Sequence, residues 1–263
     1  MQVTFDLISD LHLTATDTFD WTGQATSPLC VVAGDISDDV EIVRDTLQHL
    51  GQCYQAVFYI DGNNEHRFSL DSITDSYGVL QQAIVGIKNV VFLQNNCVIV
   101  NNVAFIGTNG WWTFDMDPRI DEEQCRQWYC DTMHVSLPVA TAVHSLAYND
   151  AAYLSNSIKK LQTHKDITSI VVVTHTVPRI ELIGHDIDLD HTHKFNVMGN
   201  SVMEVVLDQD TEHKVKTWCF GHYHNSVDRD IDGVRYVNNC RGRHNDSSGW
   251  AQPYYPRRIV IDV

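Results

Sequence analysis

The sequence predicts an α/β protein whose early strands pair in parallel and whose late strands form hairpins. Three observations predict it. Short apolar runs, each the length of a buried strand, recur along the 263 residues. Helix-like stretches separate several of the early runs, in the β-α-β-α order that parallel pairing requires. Late in the chain Asp232-Gly233 lies between two strand-like runs, a type I′ hairpin signal.

The strand-like runs cover residues 3–8, 29–33, 56–60, 103–107, 170–174 and 216–220. Ser37 can cap a helix running to about residue 50, with acidic residues in its first turn. Residues 70–86 and 140–162 also read as helices. Residues 227–231 and 234–237 flank the hairpin turn, and 258–263 read as a last strand. With no repeat, low-complexity tract or Gly/Ser/Pro linker, residues 1–263 are expected to form one domain.

Composition narrows the class. Hydrophobic residues make up 43%, which suits a globular protein, and no apolar run reaches the ~20 residues that span a bilayer. The first residues have no basic segment or cleavage site, so a cytoplasmic protein without a signal peptide is expected. Seven scattered cysteines without a CxxC pair point to reduced thiols; Cys125 and Cys130 are close enough to meet on a helix. Acidic residues outnumber basic ones 34 to 18, a formal charge of −16. Such a field disfavours nucleic acid and anionic membranes as partners, yet tolerates a phosphate where divalent cations reverse the local sign. The 14 histidines are potential metal ligands and acid/base groups.

Five of the apolar runs end in such groups. Asp10 and His12 follow the first, Gly34-Asp35 the second, and Asp61-Gly62-Asn63-Asn64-Glu65-His66 the third. Thr174-His175 and Gly221-His222-Tyr223-His224 follow the runs near 170 and 216. In open α/β sheets ligands bind at the carboxyl ends of strands, so these distant residues can share one rim. Singly each is weak: Asp-x-His makes a solvated turn, Gly-Asp a helix cap, and a lone histidine packs in a core. Together, imidazole, carboxylate and amide donors suit borderline divalent metals, and the lack of a thiolate argues against structural zinc.

Asp-x-His, Gly-Asp, Gly-Asn-x-Glu, a strand-ending His and Gly-His-x-His resemble the signature of the calcineurin-like metallophosphoesterases. The resemblance is close to full length and nearest the small bacterial phosphohydrolase branch. Residues 107–112 (GTNGWW) and 239–242 (NCRG) are similar to that branch's secondary motifs. It implies a four-layer αββα sandwich with two mixed sheets and a dinuclear site at the strand ends. It also implies one ion on Asp10, His12, Asp35 and His224, and a second on Asp35, Asn63, His175 and His222. The ions would be Mn, Fe, Co, Ni or Zn, with Mn or Fe favoured. The implied reaction is hydrolysis of a phosphomonoester or diester by a metal-bridging hydroxide, with Asp35 and His175 in the catalytic centre and a small phosphorylated substrate.

The pattern departs from the family at Asn64, where a histidine usually contacts the phosphate and helps protonate the leaving group. Asparagine can bind a phosphoryl oxygen but delivers no proton at neutral pH, and acid help is typically worth ~10²–10⁴-fold. His66, or His185, His191 or His193 in the acidic stretch 184–193, are candidate replacements. Arg241 can bind a substrate phosphate or hold a structural ion pair. Trp111 and Trp112 can line the pocket or belong to the core. Asn64 also motivates the alternative of a catalytically weak or inactive binding protein on this fold. A nuclease is disfavoured by the charge and the lack of a basic patch. There is no GxxxxGK[ST], GxGxxG, GxSxG or HExxH motif to suggest another chemistry.

Overall fold

The computed structural model describes residues 2–69, 72–183, 192–243, 246 and 253–263. Their strands form two mixed sheets. The first has the order β11-β1-β2-β3-β4: β1 (Gln2–Ile8), β2 (Leu29–Ala33), β3 (Ala56–Ile60) and β4 (Val90–Phe92) run parallel, and β11 (Arg257–Asp262) joins β1 antiparallel. The second has the order β5-β6-β7-β8-β10-β9. Here β6 (Val103–Gly107), β7 (Ser169–Val173), β8 (Val215–Phe220) and β10 (Val234–Asn238) are parallel. The edges β5 (Asn96–Val100) and β9 (Val227–Ile231) are antiparallel to their neighbours.

Strand alternation sets the layers. One face of each sheet meets the other across Phe5, Leu7, Val31, Phe58, Phe105, Val171 and Val237. The opposite face of the first sheet (Ile8, Val32, Tyr59) packs with Val43, Leu47 and Leu50 of α1 (Val40–Cys53) and Leu80 of α2 (Ile73–Ile84). The opposite face of the second (Ile106, Val172, Trp218) packs with α3 (Glu122–Met133) and α4 (Leu137–Leu161), the latter through Val143, Leu154 and Ile158. The result is the four-layer αββα order. At the hairpin, Asp232 and Gly233 have φ of 53° and 82°, the two left-handed residues of a type I′ turn.

Several local expectations shift. Asp39, not Ser37, caps α1 by accepting from the Glu41 amide. The Ser37 hydroxyl instead donates to Leu13 O (2.7 Å), tying down the loop after β1. The helix expected at 70–86 spans Ile73–Ile84, and the one expected at 140–162 spans Leu137–Leu161. Helix α3 and strands β4 and β5 lie where no element was expected. All seven cysteines are free, with Cys125 and Cys130 both buried in α3. No helix among the described residues is long and apolar enough to cross a membrane.

Candidate metal centre

Strands β1, β2, β3, β7 and β8 end on the same rim, and each delivers its polar residues there. Ligand atoms of Asp10, His12, Asp35 and His224 lie within 4.8 Å of one another, as do those of Asp35, His175 and His222. Asp35 belongs to both groups. The Asn63 side-chain oxygen is 3.2 Å from His175 Nε2, beside the second group.

The loops that carry these residues are bent to hold them. Asp10, His12, Asp35 and His222 all have left-handed φ, between 45° and 65°. Non-glycine residues take that conformation at a cost, commonly where function requires it. The turns are locked by backbone bonds from Asp10 N to Gly34 O (2.9 Å), His12 N to Asp35 O (3.0 Å) and Gly221 N to His175 O (2.8 Å). Glu65 joins the ends of β2 and β3: its carboxylate accepts from Asp35 N, Ile36 N and Gly62 N at 2.6–3.1 Å. Glycine creates the space. A Cβ on Gly34 would stand 2.5 Å from His175 Nδ1, and one on Gly221 2.8 Å from Asp10 Oδ2.

The histidine rings each turn one nitrogen toward the cluster. His175 Nδ1 is bonded to Ala33 O (2.8 Å), His222 Nε2 to Val197 O (2.9 Å) and His224 Nδ1 to Asp246 (2.6 Å). Each ring is thereby oriented with its other nitrogen left for the cluster, the pattern by which metal-binding histidines are held. His12 Nε2 and His224 Nε2 face each other at 2.9 Å, so two imidazole edges share one small volume. Asp10 Oδ1 accepts from the His222 amide (2.9 Å), while its Oδ2 is buried without a hydrogen-bond partner among the described residues. A buried, unpaired carboxylate oxygen among converging imidazoles fits a cation. The cluster can therefore hold metal.

Electrostatics divides the histidines. Burial pushes His12 down to about 4 and His222 down to about 3, so both rings are neutral with lone pairs available. Burial also opposes protonation of His175, but the Asp35 and Asp10 carboxylates outweigh it and hold the ring up to about 10. In the metal-free chain His175 therefore balances part of the buried negative charge.

The remaining expected residues are placed as follows. Asn64 is buried. Its backbone N–H donates to Asp35 Oδ1 (2.9 Å) and its side-chain amide donates to Asp35 Oδ2. His66 is not brought to the cluster: Nε2 pairs with Asp61 (2.7 Å), Nδ1 with Ser76, and the ring packs on Trp111 and Tyr77. Arg241 donates to Leu11 O (2.7 Å) and to Asp17 (3.3 Å) and lines a cavity of about 310 Å3 with His12 and Asn64. Trp112 stacks on His222, with ring centres 5.6 Å apart. His185 and His191 lie outside the described residues; His193 stacks on Trp128.

Three contributors were not anticipated. Arg243 donates to Asn64 Oδ1 (3.0 Å) and borders both cavities flanking the cluster, as does Arg67. Asn109 accepts the His175 amide on its backbone oxygen (2.8 Å) and donates through its side chain to Asp61 (2.9 Å). The GTNGWW motif hinted at Asn109, whereas nothing local marks Arg243.

No protein-family model matches the chain, and no curated protein matches it in sequence. Solved structures match it in fold. The phosphopantetheinyl hydrolase PptH of Mycobacterium tuberculosis superposes with a TM-score of 0.70 at 16% identity, over 98% of this chain and 96% of its own. A dimetal phosphatase from Danio rerio gives 0.50 at 14% identity, over 90% and 86% of the two chains. GAP50, the anchor in the inner membrane complex of Plasmodium, gives 0.50 at 14% identity, over 94% and 76%. Across nearly its whole length, this chain has the metallophosphoesterase fold.

Proposed function

We propose that this chain is a metal-dependent phosphoesterase acting on a small phosphorylated substrate. The reading is carried by one observation: six metal-type side chains converge with Asp35 at five strand ends. One divalent cation would sit on Asp10, His12, Asp35 and His224, and a second on Asp35, Asn63, His175 and His222. Manganese or iron is favoured over cobalt, nickel or zinc. Such cations polarise phosphoryl oxygens and lower the pKa of water.

The chain's own residues do the rest. Asn64 fixes the Asp35 carboxylate in one orientation through its two donors. Arg243 and Arg67 bring positive charge to the edge of the cluster in a protein of net charge −16, where a phosphate needs it. Arg241, braced by Leu11 and Asp17, is a further phosphate donor on the polar side. Asn64 holds no transferable proton, so leaving groups that depart as stable anions are favoured. His66 would act by holding Asp61, which in turn holds Asn109, whose backbone oxygen accepts the His175 amide. The surface charge argues against nucleic acid as the substrate.

A second reading, a binding or anchoring protein on the same fold, is favoured by Asn64 alone. The test is release of p-nitrophenol from p-nitrophenyl phosphate and bis-p-nitrophenyl phosphate by stripped protein resupplied with Mn2+, Fe2+, Co2+, Ni2+ or Zn2+. Metal-dependent turnover supports the enzyme. Silence with every metal, with ions bound, moves the binding reading to first place.

A further inference from the structure

A second cavity, of about 390 Å3 and not lined by Arg241, opens from the cluster. Asp35, Asn63, His222 and His224 form one end of it, so it is continuous with the candidate reaction centre. Trp112, Trp128, Tyr129, Met133, Val197 and Met198 supply its apolar lining. The aromatic wall is ordered by its own packing: Trp112 meets Tyr129 edge-on at 5.5 Å and stacks on His222.

This wall is not what a bare phosphate needs. Phosphate is recognised by charge and donors, which Arg67, Arg243 and Lys194 supply at the same cavity. Aromatic rings and methionine bind apolar surface, and a cavity combining them with a few convergent polar groups suits an organic ligand. We infer that this cavity binds the alcohol portion of the substrate, and that the substrate is a phosphoester of an apolar, ring-bearing alcohol. The inference rests on the phosphoesterase reading above and narrows it. The phosphoryl group lies at the cluster end beside Arg243. The ring lies against Trp128 and Met133. Helix α3 becomes the specificity element, because Trp128, Tyr129 and Met133 all project from it.

Non-hydrolysable phosphonates separate this inference from the reading beneath it. Calorimetry would compare methylphosphonate with 2-naphthylmethylphosphonate on Mn2+-loaded protein. The naphthyl compound is expected to bind about tenfold or more tightly. That ratio should fall to roughly threefold or less in Trp128→Ala and in Met133→Ser. Both residues are half-buried near the end of α3, and thermal melts check that each variant is folded. Methylphosphonate binding with no gain from the ring overturns the inference while leaving the phosphoesterase reading intact. A gain that survives both substitutions places the ring elsewhere and also overturns it. No binding of methylphosphonate removes the phosphoesterase reading, and this inference with it.

Discussion

A single methyl group at position 62 should disable the metal centre while leaving the protein folded. Gly62 follows β3, and a Cβ there would stand 2.5 Å from Asp35 N, 2.8 Å from Asp35 Cγ, and in hard contact with Asp35 Oδ1. Real Cβ atoms essentially never approach below 3.0 Å, so something must shift. Gly62 has no left-handed φ, so its backbone alone would accept alanine and the clash is the whole effect. Overpacking of this kind costs ~1–3 kcal/mol, within the ~5–15 kcal/mol stability of an ordinary domain. The group displaced is the carboxylate shared by both halves of the cluster. Disturbing the support of a metal ligand typically costs ~10–100-fold in affinity or activity, and both half-sites should suffer together. The assay is metal content of Gly62→Ala by mass spectrometry after dialysis, with urea unfolding alongside. Gly78→Ala in α2 is the control: nothing lies within 4 Å of its Cβ, and it should gain ~0.5–1 kcal/mol. Full metal content and normal turnover in Gly62→Ala would refute the reasoning.

Other outcomes follow from single contacts. Arg243→Ala should lower kcat/KM by roughly 10–100-fold through loss of a charge-assisted contact, and an unchanged value would remove Arg243 from the phosphate site. Asn64→His should raise the rate on esters of poor leaving groups more than on p-nitrophenyl esters; equal effects on both would mean that proton delivery is not limiting. Burial holds the Asp150 carboxyl up to about 7 from its ordinary 3.8, although Gly110 N (2.8 Å) and Gln94 (3.1 Å) donate to it. Because the folded state keeps this proton after the unfolded chain has lost it, the contribution is full below about pH 4. It is lost as the pH rises through about 7, by roughly 4 kcal/mol. Urea unfolding should therefore show Asp150→Asn gaining on the wild type between pH 5 and pH 8, and a constant gap would contradict the assignment.

How much was legible depended on whether a signal was local. Strands β1, β2, β3, β6, β7 and β8 were readable because each is a short, mostly apolar and mostly buried run between helices and the partner sheet. The ligands were readable because each follows such a run directly. Strand β4 has three half-buried residues and β5 is a half-exposed edge, so neither carries a clear period. Helix α3 buries only Cys125, Tyr129 and Cys130, and its EEQCRQ start reads as solvated chain. Ser37 has the chemistry of a cap, but Leu13 O, 24 residues away, claims its hydroxyl. His66 was chosen for closeness to Asn64 in sequence; the 3-10 turn over Asn64–Ser69 instead directs its ring to Asp61 and Ser76. The carbonyls of Ala33 and Val197 that orient His175 and His222, and the arginine that reaches Asn64, come from segments whose approach only the assembled sheets decide.

One carboxylate, that of Asp35, would join two metal sites. Calorimetric titration of stripped protein with Mn2+, in the wild type and in Asp35→Asn, tests this most directly. The expected result is two ions per chain in the wild type and weakened binding of both in the variant, with metal-dependent hydrolysis lost. Binding of a single ion, or an Asp35→Asn protein that keeps two ions and its rate, would contradict the account.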